Sequence, residues 1–213
     1  MPASPRRALI VIDVQNEYVT GQLPIEFPDV NLSLANIGRA MDAARVHGIP
    51  VVVVQNHSRP GAPIFAKGTN GWVLHDVVAS RPRDHHVEKT LPSAFVETGL
   101  GAWIAGQRID TLVVAGYMTH NCDDTTIKHA FDAGLAVEFL VDASGSVPYA
   151  NRAGYASAEE IHRVFAVVQH SRFAAVLTTD EWLEAIRDGT MPERDNIFSS
   201  NQRARAIAPR KAA

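Results

Sequence analysis

Apolar residues in this chain fall into short unbroken runs, separated by stretches in which they recur at helical spacing. Ala8-Leu9-Ile10-Val11-Ile12 is continuously apolar and stops at Asp13, the pattern of a strand covered on both faces. Further runs at 50–54, 111–115, 136–141 and 173–177, with a shorter candidate at 87–89, bring the predicted strands to six. Between them, Leu34, Ile37, Met41 and Ala44 repeat at helix spacing, and Gly48 follows as a stop. Leu100, Trp103 and Ile104 mark a shorter helix before Gly106, and Ile127, Ala130 and Phe131 give another one apolar face before Gly134. Ser157-Ala158-Glu159-Glu160 has the form of a capping box and leads into an apolar face of Ile161, Val164, Phe165 and Val168. Trp182, Leu183 and Ile186 form the last helix before Gly189.

Buried strands alternating with helices predict a mainly parallel sheet with helices on both faces. Six strands are too few for an eight-stranded barrel, so the expected fold is a single doubly wound, Rossmann-like α/β domain. It would span residues 1–213, with a core at 8–189 and a polar tail at 190–213 carrying Arg194, Arg203, Arg205 and Arg210. The tail suits a frayed end or an arm across a neighbouring subunit. Residues 55–86 lack a clear pattern; Pro60, Gly61, Pro63, Gly68 and Gly71 surround Phe65 and Trp72, and such a length suits a lid or a partner contact. His85-His86 is expected in a polar loop at its end.

Composition narrows the partners. A net charge of -3 offers no electrostatic reason to bind nucleic acid or an anionic membrane. The apolar run after Met1–Arg7 is too brief for a secretory segment, and no stretch is long enough to span a membrane. The single cysteine excludes an intrachain disulfide and a dithiol cycle within one subunit. A cytoplasmic protein is expected.

The chemistry gathers where an open α/β sheet binds its ligands, beyond the carboxyl ends of the strands where their order reverses. In the common 3-2-1-4-5-6 order, the first strand delivers Asp13 to that crevice and the fourth leads to Cys122, while Lys89 closes the third. A thiol at a helix start feels unpaired N–H groups that favour its thiolate. Each residue alone also suits a bland role: Asp13 as a turn residue, Lys89 as a solvated charge, Cys122 as core packing. Together they make a carboxylate, an ammonium and a thiol converging on one edge.

The chain resembles the isochorismatase-like cysteine hydrolases, a family that includes the nicotinamidases. The resemblance runs from Ala8 to about Ile186 and is carried by Ala8-Leu9-Ile10-Val11-Ile12-Asp13-Val14-Gln15-Asn16-Glu17, by Glu88-Lys89-Thr90-Leu91-Pro92-Ser93-Ala94-Phe95, and by Gly116-Tyr117-Met118-Thr119-His120-Asn121-Cys122. Gly71-Trp72, Asp132-Ala133-Gly134 and Val141-Asp142-Ala143 also match family landmarks. The resemblance implies a catalytic triad of Asp13, Lys89 and Cys122. It also implies a cis peptide at Tyr117–Met118 and an oxyanion hole made by the backbone N–H groups of Met118 and Cys122. The implied reaction is hydrolysis of an amide or lactam C–N bond in a small molecule, through a Cys122 thioester. Residues 27–198 resemble bacterial hydrolases that open lactams such as that of streptothricin. Candidate pocket residues are Phe65, Trp72, Phe95, Tyr117 and His120, with Leu91 and Tyr149 beside them. Homo-oligomers are common in the family and are expected here.

The metal-binding nicotinamidases of this family carry an Asp-x-His cluster after the second strand, whereas this chain reads Gln55-Asn56-His57-Ser58, with His75 later. Two imidazoles without the carboxylate make a poor divalent site, so no metal is expected, and nicotinamide is disfavoured as substrate. No glycine-rich phosphate loop follows the first strand, so no nucleotide cofactor is expected. Asp123 and Asp124 depart from the apolar residue many relatives carry after the cysteine, and carboxylates there are expected to oppose the thiolate. Alternatives are hydrolysis of another bond type, a thiol sensor, and a non-catalytic protein on the same fold.

Overall fold

The computed structural model describes residues 4–207. In it the six predicted strands become β1 (Arg7–Ile12), β2 (Val51–Asn56), β3 (His85–Lys89), β4 (Thr111–Tyr117), β5 (Ala136–Gly145) and β8 (Ala175–Leu177). They form one sheet in the order β3-β2-β1-β4-β5-β8, with every pairing parallel. The predicted order therefore holds, with β8 as the sixth member. Between β5 and β8 the chain adds an antiparallel hairpin, β6 (Tyr149–Asn151) with β7 (Gly154–Ala156), whose short exposed strands carry no apolar run. His85 and His86 belong to β3 rather than to a loop, because their backbones pair with Val52 and Val53 in the buried strand beside them.

Alternation along β1 builds two cores. Leu9 and Val11 point into one, with Ile37, Met41 and Trp182 from α1 (Val30–Val46) and α6 (Thr179–Asp188). Ala8, Ile10 and Ile12 point into the other, with Leu100 and Ile104 of α3 (Leu100–Gly106) and Ile127 and Ala130 of α4 (Asp124–Asp132). Burial on both faces is why these strands read as unbroken apolar runs.

The capping box forms as predicted at the start of α5 (Ala158–His170), and Thr178 with Glu181 makes a second at α6. The inward face of α5 differs from expectation. Val164 and Val168 are 46% and 41% exposed, while His162 and Gln169 are buried. Those two polar side chains have partners inside: Thr119 Oγ1 lies 2.8 Å from His162 Nδ1, and Gln169 Nε2 donates to Asp124 Oδ1 at 2.5 Å. Specific hydrogen bonds thus set the rotation of α5 in place of its valines. In the long segment before β3, a short helix α2 (Asp76–Ala79) is capped by His75. The tail forms α7 (Ile197–Ile207), which buries none of its residues; Arg210 lies outside the described residues.

Candidate active site

Backbone register places the three reactive side chains. Asp13 follows β1, and its N–H donates to the Val54 carbonyl at 2.9 Å. Asp13 has a φ of 52°, a left-handed conformation uncommon outside glycine and concentrated at functional sites. Gln15, fully buried, fixes the turn that follows. Its amide donates to the Asn56 and Trp72 carbonyls at 2.9 and 2.7 Å and accepts from the Asn56 N–H at 2.9 Å. Lys89 pairs in register with Asn56 at the end of β3. Beyond β4 the peptide Tyr117–Met118 is cis, as the resemblance implied. Thr119–Asp123 then make one π-helical turn, closed by the Asp123 N–H donating to the Met118 carbonyl at 3.2 Å. Cys122 therefore sits in a wide turn ahead of α4 rather than in the regular first turn the sequence suggested. The approach to that turn runs through Gly116, where φ is 121° and any Cβ would collide with the Ile12 carbonyl oxygen.

The three side chains meet. Lys89 Nζ lies 2.7 Å from Asp13 Oδ2 and 3.2 Å from Cys122 Sγ. Asp13, Lys89 and Cys122 are 0%, 3% and 5% exposed, so the cluster is shielded from water. Asp13 is held by the Lys89 ammonium, with the Cys122 thiol and the Asn56 backbone also bonded to its carboxyl group, so it is placed to exchange a proton with sulfur. Burial pushes the Cys122 thiol well above its ordinary value; Asp13 adds to this, and Lys89 opposes it. Burial likewise raises Asp13 against the pull of Lys89. Burial lowers Lys89, but the charges of Asp13 and Cys122 outweigh it and leave its pKa raised. At rest the thiol is thus neutral beside the Lys89 ammonium, and burial has raised the proton affinity of Asp13.

The acidic residues after Cys122 act differently from the sequence expectation. The largest influences on the thiol are burial, Asp13 and Lys89. Asp124 is turned away, with its oxygens 2.8 Å from Lys128 Nζ and 2.5 Å from Gln169 Nε2. Asp123 is fully buried, its Oδ2 2.6 Å from Ser144 Oγ, and burial raises its carboxyl to about 7.

The proposed pocket residues divide into two groups. Phe65 and Tyr117 are 4% and 0% exposed and pack against Tyr18 with tilted rings, their centroids 5.1 and 5.5 Å from its own, and the Tyr117 hydroxyl lies 2.6 Å from Ser33 Oγ. Phe95 stacks on His129 at 4.7 Å. Trp72 receives Gln15 and Gln55 on its carbonyl, and its buried indole N–H has no partner. His120 Nδ1 lies 3.1 Å from Ser146 Oγ, its ring meets Tyr149 edge-on at 5.1 Å, and its buried Nε2 has no partner. Burial depresses His120 to about 4, so it is neutral. Leu91 and Tyr149 are 40% and 42% exposed. Tyr18 was not apparent from sequence: it is buried, and its phenol is raised by burial and then by charge at Cys122 and Asp13. An isolated tyrosine in a short polar segment gives no signal that would have found it.

His57 and His75 lie in separate settings. His57 Nε2 is 3.9 Å from Glu88, and His75 Nδ1 accepts from the Val77 N–H at 3.2 Å. Among the described residues, no group of three or more His, Cys, Asp or Glu is placed to hold a metal ion. No helix among them is long and apolar enough to cross a membrane.

The isochorismatase domain profile matches residues 7–181. The chain belongs to the isochorismatase family. A crystal structure from Burkholderia xenovorans LB400 is 67% identical, covers 96% of this chain and 99% of its own, and superposes with a TM-score of 0.95. The isochorismatase-family fold assigned from the sequence is thereby shown. Streptothricin hydrolase of Streptomyces noursei is 36% identical over 64% of this chain, which spans about half (49%) of that relative's length. Ureidoacrylate amidohydrolase of Methylorubrum extorquens is 30% identical over 81% of this chain and 83% of its own.

Proposed function

We propose that this isochorismatase-family chain hydrolyses an amide or lactam C–N bond of a small molecule through a thioester on Cys122. The observation that carries the reading is the buried contact of Lys89 Nζ with both Asp13, at 2.7 Å, and Cys122 Sγ, at 3.2 Å. The relatives named for hydrolysis of streptothricin and ureidoacrylate support a C–N substrate.

In this reading the thiol stays protonated until substrate arrives, because burial disfavours the thiolate. Asp13, its own proton affinity raised by burial, takes the thiol proton as sulfur attacks the carbonyl carbon. Lys89 balances the negative charge that moves between the two. The backbone N–H groups of Met118 and Cys122 hold the oxyanion, a role worth about 2.7–4 kcal/mol per donor in acyl-transfer sites. Asp13 passes the proton to the leaving nitrogen as the C–N bond breaks, leaving a thioester. Water then attacks, giving its proton through Asp13 to sulfur, and the carboxylic acid departs. Trp72, Phe95 and His120 line the acyl or amine subsite, with Phe65 and Tyr117 supporting them from the core. The chain works as one domain in a homo-oligomer; the exposed Val164, Val167, Phe198 and Ile197 supply apolar surface for such an assembly.

A panel of primary amides and lactams tests the reading. Expected are release of acid with ammonia or amine, loss of turnover in Cys122→Ala, and a mass increment on Cys122 equal to the acyl group. Rapid peroxide oxidation of Cys122 with no amide turnover would replace it with a thiol-sensor reading. Sedimentation analysis tests the assembly.

A further inference from the structure

Beyond Ile12 the first strand leaves the sheet, and the way it leaves decides where Asp13 points. Side chains along β1 alternate, with Leu9 and Val11 in one core and Ile10 and Ile12 in the other. Continued in an extended conformation, residue 13 would take the face of Leu9 and Val11. Cys122 belongs to the opposite core, and Lys89 shares its face of β3 with Val87, which lies in that core too. A φ of 52° at Asp13 breaks the alternation, and its carboxyl group meets Lys89 Nζ at 2.7 Å. A left-handed aspartate is unfavourable by itself and persists only where its surroundings hold it.

The hold is a side chain. In a parallel ladder carried one step further, the Asn56 N–H would donate to the Asp13 carbonyl, and the Asn56 carbonyl would accept from the N–H of residue 15. Here the Gln15 N–H turns back and donates to the Asp13 carbonyl at 2.8 Å. The Gln15 carboxamide fills both vacated places. Its Oε1 accepts from the Asn56 N–H at 2.9 Å, and its Nε2 donates to the Asn56 carbonyl at 2.9 Å. Nε2 also donates to the Trp72 carbonyl at 2.7 Å, which Gln55 Nε2 shares at 2.9 Å. Gln15 is fully buried, so water does not stand in for these bonds. Asn56 is in turn the in-register partner of Lys89. One carboxamide thus ties the turn at Asp13 to the strand beside Lys89.

We infer that Gln15 is a positioning residue for Asp13: its carboxamide replaces the backbone ladder that Asp13 abandons, and so holds the left-handed turn that carries the Asp13 carboxyl group to Lys89 and Cys122. The three bonds of its side chain all go to backbone groups, so it acts through Asp13 and not on a reacting atom. The pairing of donor with acceptor is what the place requires. Methionine matches the length and supplies neither; glutamate supplies the acceptor alone.

The inference rests on the proposed role of Asp13 as proton carrier, and its test has a structural arm that needs no substrate. In a crystal structure of Gln15→Met, Asp13 should relax to a negative φ and withdraw from Lys89 Nζ, with β2, β3 and Cys122 in place. Gln55→Leu, which loses only the shared Trp72 bond and the His86 contact, should leave Asp13 where it is. On any amide that the parent turns over, kcat of Gln15→Met should fall about 100-fold with KM nearly unchanged, as for a misplaced acid–base group. In the Asp13→Asn background the same substitution should change kcat no further. If the methionine variant does not fold, Gln15→Glu takes its place. The carboxyl carbon resonance of Asp13, assigned by its loss in Asp13→Asn, should then titrate at a pH displaced from that of the parent. An Asp13 that keeps its φ and its Lys89 contact in Gln15→Met, or an unmoved Asp13 titration in Gln15→Glu, overturns the inference. So does an equal displacement of Asp13 in Gln55→Leu, or kcat losses that add in the double variant. A displaced Asp13 with kcat unchanged sustains the positioning and removes Asp13 from the proposed proton transfer. A displaced Asp13 with no amide turned over by the parent sustains the positioning and overturns the hydrolase reading alone.

Discussion

Replacing Lys89 with methionine removes the ammonium while keeping the apolar stem that fills its buried site. Lys89 and Asp13 have side chains that are both 0% exposed, with Nζ 2.7 Å from Oδ2, so the change strands a buried carboxylate. Removing one partner of such a pair costs about 3–5 kcal/mol. For a chain of this length that corresponds to a fall in Tm of about 6–20 °C. The loss must depend on pH. Asp13 is already raised above its unfolded value by burial, and Lys89 is what restrains it. Without Lys89 its folded pKa rises further, so the folded state holds a proton that the unfolded state releases. Stability then falls as pH rises from the unfolded value through the folded one. In acid, Asp13 is neutral in both states and Lys89→Met should be close to the parent; in alkali, the whole penalty appears. Urea unfolding at an acidic and an alkaline pH measures both. A penalty under about 1 kcal/mol in alkali, or one equal at the two pH values, would refute the ion pair as the source. Adding Asp13→Leu should recover most of the stability, since a buried pair exchanged for apolar groups is often neutral or better. Under the proposed mechanism neither variant turns over amides, so stability and activity separate.

Other consequences concern residues beyond that pair. Glu138 takes a two-pronged bond from Arg7 at 2.8–3.0 Å and the Trp182 indole N–H at 3.0 Å, all buried, so Glu138→Ala should lower stability by about 3–5 kcal/mol in calorimetry. Gly116→Ala places a Cβ against the Ile12 carbonyl at a φ of 121° and should cost more than about 2 kcal/mol, whereas Gly106→Ala, with open space around it, should be neutral or mildly stabilising. The Asp123 carboxyl is raised from 3.8 to about 7, so the parent should lose about 4 kcal/mol of stability between those pH values. Asp123→Asn should lack that slope in denaturant titrations, and an unchanged slope would mean that another group is responsible.

Much of this protein could be read along the chain because its central strands are buried on both faces. Such strands have no polar side to interrupt the run from Ala8 to Ile12, so their number and their parallel pairing were legible. Asp13 was legible for the same reason, since the run stops where the polar group begins, whereas Lys89 closes a strand with no apolar run and Cys122 lies in the turn beyond β4. Features set by contacts between distant segments were not. His85 and His86 look like loop residues until β2 supplies their backbone partners. The valines of α5 look like its buried face, but Thr119 and Asp124 draw His162 and Gln169 inward instead. Asp123 reads as an ordinary acid near a helix start. Only the fold brings Ser144 from β5 to its oxygen and closes water away from both. Sequence periodicity records burial, a property each residue carries along its own strand or helix. The protonation of Asp123 and the neighbours of Cys122 are settled by which distant groups share one dry space, and tertiary structure alone decides that.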